Sequence, residues 1–290
     1  MKPSAFRYHR PASLAQALEL LAEHGDAAKA IAGGQSLVPM MNLRVAQPAE
    51  LVDLNGLAEL QSVREAGEGL EVGAMVRHQD LADSELVRRH CPLLAEAAGT
   101  IGHYAIRQRG TLGGSLAHAD PAAQLPLIAA VLGAQFELAS ARGRRSVAAA
   151  DFFVSIMTTA LEPDEIIVSV RFPRAADGEG SAFRMFSVRH GDFAIVSAAA
   201  ALRLSAGRVD NLRLAVGGAG PVPEVLAALA RAQAGRVADA AWVSEVAAAA
   251  RSAVDVPEGG RVAEVYRREL AETLVARALG AAIERCGARH

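Results

Sequence analysis

The sequence predicts an α+β fold in two units, the first ending near residue 175. Three observations carry this. In the first half, short apolar runs of strand length alternate with helical patterns. Ala175-Ala176-Asp177-Gly178-Glu179-Gly180 is small, acidic and glycine-rich, the composition of a linker. Beyond it come three strand-like runs and then helices, the order of an α+β domain.

Ser13 followed by Gln16 has the form of a capping box, opening a helix whose Leu14, Ala17, Leu18 and Leu21 share one face. Gly25 is its expected stop. Residues 29–32 form a short apolar strand, Gly33-Gly34-Gln35-Ser36 a break, and residues 37–44 a helical turn or two despite Pro39. Residues 51–54 look like a buried strand, and residues 61–65 and 70–73 a hairpin around Gly67 and Gly69. Helices are expected at residues 81–90 and 92–98. A second glycine loop follows at 110–115, then a helix over 121–132 and strands over 135–139 and 165–172. After the linker, strands are expected at 181–188, 194–204 and 212–217, then two or three helices. In the last of these Val262, Val265, Tyr266, Leu270, Leu274, Ala278 and Ile283 recur at helical spacing.

Composition excludes several classes. No apolar run among the 290 residues reaches the ~18–20 that a membrane helix needs. No basic start with an apolar core and cleavage site points to secretion. Two cysteines, Cys91 and Cys286, cannot supply the four ligands of an iron–sulfur cluster, a Cys-rich zinc site or a disulfide framework. Thirty Lys+Arg against 32 Asp+Glu leave a net charge of −2, without the basic footprint of a nucleic-acid binder. Lys2 and Lys29 are the only lysines, which makes Lys29 conspicuous.

The chemistry concentrates in two motifs about eighty residues apart. Ala32-Gly33-Gly34-Gln35-Ser36 places a glycine pair between strand and helix, where close backbone approach and aligned N–H groups suit a pyrophosphate. Thr111-Leu112-Gly113-Gly114-Ser115 repeats the theme as hydroxyl, glycine pair, hydroxyl, with Arg107 and Arg109 just ahead. Two such loops suggest a ligand held from two sides, such as a dinucleotide. Neither is the G-x-G-x-x-G of a Rossmann unit, and neither carries the lysine of a Walker P-loop. A glycine pair alone more often serves a turn.

With Leu37-Val38-Pro39 after the first motif, these segments resemble the two FAD signatures of the medium, flavin-binding subunits of molybdenum hydroxylases. That group contains the medium subunit of aerobic carbon monoxide dehydrogenase and the flavin domain of xanthine dehydrogenase. Ala117-His118-Ala119-Asp120-Pro121 and Gly191-Asp192-Phe193-Ala194-Ile195-Val196 extend the likeness over nearly the whole chain.

The resemblance implies a two-subdomain FAD-binding unit of the vanillyl-alcohol-oxidase type over residues 1–175, divided at about residue 56. A smaller C-terminal α+β domain, a three-stranded sheet with helices, would occupy 176–290. It implies non-covalent FAD, its pyrophosphate held by Ala32, Gly33, Gly34, Gln35, Ser36 and Leu37 with Lys29 nearby. Thr111, Gly113, Gly114 and Ser115 would hold it from the other side. Ile101 would contact the cofactor, Leu161 would line its position through backbone, and Asp120 would lie beside it. Phe193 matches an aromatic position against the flavin ring; phenylalanine can stack there but cannot donate. Gln124 matches a ribose-binding position that is usually Asp or Glu, and Met185 one that is often polar.

Blander roles stand beside these. Lys29 could be a solvated lysine, Asp120 a helix cap, Phe193 a core ring, and Arg107 and Arg109 surface charges. His103 and His118 are read as structural, because flavin redox chemistry needs no protein base. The cysteines are read as buried or idle, and the Arg/Glu face of the last helix as solvated. The resemblance further implies a large molybdenum-cofactor subunit, a small subunit with [2Fe–2S] clusters, a dimer of heterotrimers and an external electron acceptor. The expected place is the bacterial cytoplasm, with any membrane association through partners. A self-contained FAD oxidase or reductase, and a non-catalytic nucleotide-binding assembly protein, are the alternatives.

Overall fold

A computed structural model describes residues 1–259 and 262–287. The N-terminal part opens with strand β1 (Arg7–His9), helix α1 (Leu14–His24), β2 (Ala28–Ile31), α2 (Leu37–Asn42) and β3 (Glu50–Asp53). The three strands form a parallel sheet in the order β1-β3-β2. Ser13 caps α1 by accepting from the Gln16 amide, and Leu14, Ala17, Leu18 and Leu21 are its buried face. The Gln16 side chain reaches back to the Ala12 amide, one residue short of a true capping box.

The middle part holds β4 (Val63–Ala66), β5 (Gly69–Gly73), α3 (His78–Asp83), α4 (Glu85–His90), α5 (Pro92–Gly99), α6 (Tyr104–Arg107), α7 (Leu112–His118) and α8 (Gln124–Leu132). It continues with β6 (Gln135–Ser140), β7 (Gly143–Ala148), α9 (Ala149–Phe152), β8 (Phe153–Ser155), β9 (Thr158–Thr159) and β10 (Ile166–Pro173). An antiparallel sheet in the order β4-β5-β10-β6-β7 packs against the helices around Leu81, Leu94, Leu116, Leu127 and Phe136. The single helix expected over residues 81–90 is two helices. Ser84 is extended and caps α4 through its hydroxyl, which the apolar spacing did not reveal. The helix expected from Pro121 starts at Gln124, because Asp120 folds residues 120–123 into a turn by accepting from the Ala122 amide at 2.8 Å.

The C-terminal part contains β11 (Gly180–Phe186), β12 (Val196–Ser205), β13 (Arg208–Gly217) and β14 (Glu224–Val225), antiparallel in that order. Helices α10 (Ala227–Arg231), α11 (Ala240–Ala253) and α12 (Glu264–Arg285) follow. Alternation along the strands splits their side chains between two cores. Ala198, Ala200, Leu214 and Val216 face α11 and α12, whereas Phe183, Ala199 and Ala215 join the core of the middle part. The run Ala198-Ala199-Ala200-Ala201 is therefore buried on both faces.

Glu96 on α5 ties the C-terminal part down. It accepts from Arg184 at 3.0 Å, Arg285 at 2.8 and 3.1 Å and the Phe183 amide at 3.2 Å. One expectation for α12 is corrected: Val265 and Tyr266 are exposed, and burial starts at Leu270. The Arg/Glu face is also less free than expected. Arg267 donates to the Ala219, Pro257 and Gly259 carbonyls, and Arg268 to those of Arg251 and Val254.

Candidate functional site

The two glycine motifs meet. A β-carbon added at Gly33 would lie 2.2 Å from the Arg109 carbonyl oxygen and 2.9 Å from the Gly110 Cα. One added at Gly114 would lie 3.4 Å from the Ala32 Cβ. Glycine at 33 is thus required by the contact between the motifs, whereas at 114 the tight neighbour is the motif's own Thr111 hydroxyl, 2.8 Å from an added β-carbon.

The motifs differ in what they offer. Gly34 has φ +71° and turns the chain into α2. The backbone N–H groups of Gly33, Gly34, Gln35 and Ser36 have no hydrogen-bond partner among the described residues. The Gln35 amide donates back to the Gly33 carbonyl at 3.1 Å, and Leu37 begins α2. Four consecutive N–H groups are thus left free at this turn.

The second motif is not a loop. Thr111 is the N-cap of α7, and Gly113 and Gly114 lie in its first turn. Its N–H groups are already used: Leu112 donates to Val76, Gly113 to Ala74 at 2.7 Å, and Gly114 to the Thr111 hydroxyl at 3.1 Å. The expectation of a second donor loop is corrected accordingly. Thr111 is 1% exposed and works as a cap, Gly113 lets α7 sit on Ala74, and Gly114 and Ser115 are half-buried. A side-chain-free surface and the Ser115 hydroxyl are what this motif presents.

His78 lies beneath it. Its Nε2 is 2.9 Å from the Thr111 carbonyl, and a β-carbon at Gly110 would lie 2.6 Å from its ring. Burial pushes its pKa down to about 4, so the ring is neutral and donates to Thr111.

A polar chain missed by sequence reasoning joins the motifs. Asn55 Nδ2 donates to the Ala32 carbonyl at 2.8 Å, and Asn55 Oδ1 accepts from Arg77 Nη2 at 2.7 Å. Arg77 Nη1 donates to the Arg109 carbonyl. Asp53 accepts from the Asn55 amide at 2.9 Å and from the Tyr8 hydroxyl. Burial raises the Asp53 pKa, but the bonds from Tyr8 and Asn55 outweigh it and hold the carboxyl below its ordinary value. The available signal was Arg77 itself, a charge closing the apolar run Val72-Gly73-Ala74-Met75-Val76.

The remaining predicted residues surround this junction or stand apart from it. Lys29 is exposed on β2 and makes no ion pair among the described residues. Ile101 and Leu161 are half-buried against the middle core. The Ile101 carbonyl accepts from Arg107 at 3.1 Å, so Arg107 is an internal brace and not a free surface charge. Asp120 is half-buried in its turn rather than a helix cap.

Gln124 is 4% exposed, and its amide contacts the Met185 sulfur at 3.5 Å. The two positions flagged as unusual therefore touch each other. Phe193 is 57% exposed, which overturns the core reading. Its loop leans on the preceding segment: His103 and His190 rings lie 5.5 Å apart, and Gly191 packs on His103. Cys91 is buried, its thiol pushed up to about 12 by desolvation, and Cys286 is half-buried with its thiol also raised.

Two other features lie away from the junction. A recess of about 750 Å³ between α3, α4 and α5 includes Gln79, Arg88, Glu96 and Arg107 in its lining; of the residues singled out in the sequence only Arg107 lines it. His9, His24 and Glu50 bring possible ligand atoms within 4.8 Å of one another. Glu50 accepts from Arg7 through one oxygen and lies 2.7 Å from His9 through the other, which holds its pKa at about 2. That cluster is an ion-pair knot joining β1 to β3.

Residues 4–175 match the model of the FAD binding domain in molybdopterin dehydrogenase, and residues 181–282 that of the CO dehydrogenase flavoprotein C-terminal domain. The chain belongs to the FAD-binding medium subunits of the molybdenum hydroxylases. This medium subunit is 37% identical to caffeine dehydrogenase subunit beta of Pseudomonas sp. (strain CBB1), over 98% of this chain and 97% of that one. It is 38% identical to the carbon monoxide dehydrogenase medium chain of Hydrogenophaga pseudoflava, over 99% and 100%. The solved carbon monoxide dehydrogenase from that organism superposes with a TM-score of 0.95, covering 99% of this chain and 100% of that chain. Quinoline 2-oxidoreductase from Pseudomonas putida 86 superposes at 0.94 with 36% identity, covering all of both chains. Like its relatives, the medium subunit is part of an oxidoreductase, and its cofactor is FAD. No helix among the described residues is long and apolar enough to cross a membrane.

Proposed function

We propose that this medium subunit is the flavin station of a heterotrimeric molybdenum hydroxylase. It binds FAD non-covalently, receives electrons from a [2Fe–2S] subunit and delivers them to an external acceptor. The observation that carries the reading is the meeting of the two motifs, with four unclaimed N–H groups on one side and a side-chain-free helix start on the other. A diphosphate needs such donors and such room.

In this reading Gly33, Gly34, Gln35 and Ser36 donate to the diphosphate, flanked by Ala32 and Leu37, with Lys29 at the outer edge. Gly114 and Ser115 close the other side, and Thr111 and Gly113 fix how near α7 comes. Ile101, Leu161 and Asp120 border the flavin end, and Gln124 sits beside Met185 below it. Phe193, already exposed, covers the ring. The FAD supplies two-electron redox capacity and single-electron exchange. The protein orients it and limits water access.

The two cysteines fit a division of labour in which the clusters and the molybdenum cofactor reside on a small and a large partner subunit. Substrate choice then lies in the large subunit. A dimer of heterotrimers in the cytoplasm, and a boundary near residue 175 between flavin and C-terminal domains, complete the proposal.

The test is reconstitution. The purified chain should take up FAD, release it on acid precipitation, and show no turnover of the hydroxylase substrate. Its flavin should become reduced only when the partner subunits and substrate are added. Turnover by the isolated chain would instead make it a self-contained oxidase, and failure to take up FAD would remove the reading.

A further inference from the structure

Two motifs that must hold one diphosphate need a fixed separation. Their direct contact at Gly33 and Gly114 is a van der Waals stop, which limits approach and does not prevent the motifs from opening. Opening is opposed by hydrogen bonds, and a single side chain bonds toward both motifs. Asn55 stands just after β3, half-buried. Its Nδ2 holds the Ala32 carbonyl at 2.8 Å, and its Oδ1 holds Arg77 Nη2 at 2.7 Å, while Arg77 Nη1 holds the Arg109 carbonyl. The amide orientation is fixed by this set, since Asp53 Oδ1 also accepts from Nδ2.

Arg77 adds a second property. Its guanidinium is half-buried and makes no ion pair with a carboxylate among the described residues. Asp53, the acid bonded to Asn55, is occupied by Tyr8 and by that residue. The other charges that face Arg77 are Asp80 and Arg109. A desolvated cation without a carboxylate favours an incoming anion. Because both forks of the planar group are engaged, lysine cannot replace it in geometry, though it can in charge.

We infer that Asn55 and Arg77 are positioning residues for FAD, a brace that fixes the spacing of the two glycine motifs and places a fixed positive charge at their junction. This rests on the FAD reading proposed above and assigns within it two residues that neither motif contains.

The test is titration of the purified full-length chain, freed of flavin, with FAD and separately with ADP, at two salt concentrations. Asn55→Ala, Arg77→Gln and Arg77→Lys are compared with the wild type, each checked by circular dichroism and apoprotein melting temperature. Asn55→Ala and Arg77→Gln are expected to weaken FAD by about 10- to 100-fold, the loss of one or two hydrogen bonds to a charged group. ADP should weaken by the same factor, because the shared diphosphate is what the brace serves. Arg77→Lys should keep the wild-type salt dependence yet bind less tightly, whereas Arg77→Gln should lose part of that dependence.

Two results overturn the brace while leaving the FAD reading intact. One is wild-type-like FAD affinity in both Asn55→Ala and Arg77→Gln. The other is affinity loss that appears for FAD and not for ADP. If the wild-type chain binds neither FAD nor ADP, the FAD reading itself falls and takes the brace with it.

Discussion

The carbonyl oxygen of Arg109 stands 2.2 Å from where a side chain at Gly33 would begin. That places residues from the first sixth of the chain and from its middle in direct backbone contact. A bulky residue at Gly33 would therefore break the protein's own junction before it obstructed any ligand.

Gly33→Ala is accordingly expected to cost stability as well as binding. The obstacle is backbone and cannot swing aside, so an overpacking penalty of about 1–3 kcal/mol is expected. Thermal unfolding should show a lowered melting temperature, and FAD titration a lost or greatly weakened site.

Phe193→Ala separates stacking from diphosphate binding. The ring is 57% exposed, so apoprotein stability should change by no more than about 0.5 kcal/mol. FAD should bind more weakly and fluoresce more brightly, while ADP affinity stays at the wild-type value. Equal loss for both ligands would place Phe193 away from the flavin ring.

Glu96→Ala tests the anchor of the C-terminal part. Removing the carboxylate leaves Arg184 and Arg285 without their shared acceptor. A loss of about 1–3 kcal/mol is expected from denaturant unfolding. Amide exchange should speed up along β11, whose Phe183 amide donates to Glu96.

His78 predicts an acid limit. Its folded pKa is about 4 against 6.5 for the free side chain, lowered first by burial. The unfolded chain therefore binds the extra proton first. Stability from this group is complete above pH 6.5 and is lost as pH falls from 6.5 to 4, up to about 3 kcal/mol. Urea unfolding at pH 7 and pH 4.5 should show the fall, and His78→Gln should flatten it.

Much of this was legible from residues alone. The face of α1, the hairpin around Gly67 and Gly69 and the three long C-terminal strands follow from local periodicity and turn chemistry. The strand–turn–helix placement of the first motif was legible for the same reason, since its glycine pair separates a strand-length apolar run from a helical one. The second motif was misread as a loop because its donors are consumed by Val76 and Ala74, partners more than thirty residues away. The roles of Asn55 and Arg77 were hidden for a related reason, since their bonds to each other and to the Ala32 and Arg109 carbonyls exist only once folding brings these segments together. Val265 and Tyr266 fit the helical period of α12 but extend past the end of the core it covers, which periodicity cannot reveal.

Amide hydrogen exchange on the purified chain with and without FAD reads the free N–H groups of the first motif directly. FAD should slow exchange at residues 33–36, whose N–H groups are free, with little change at residues 112–114, whose N–H groups are already bonded. FAD bound at full occupancy without protection of residues 33–36 would contradict a diphosphate site at the first motif.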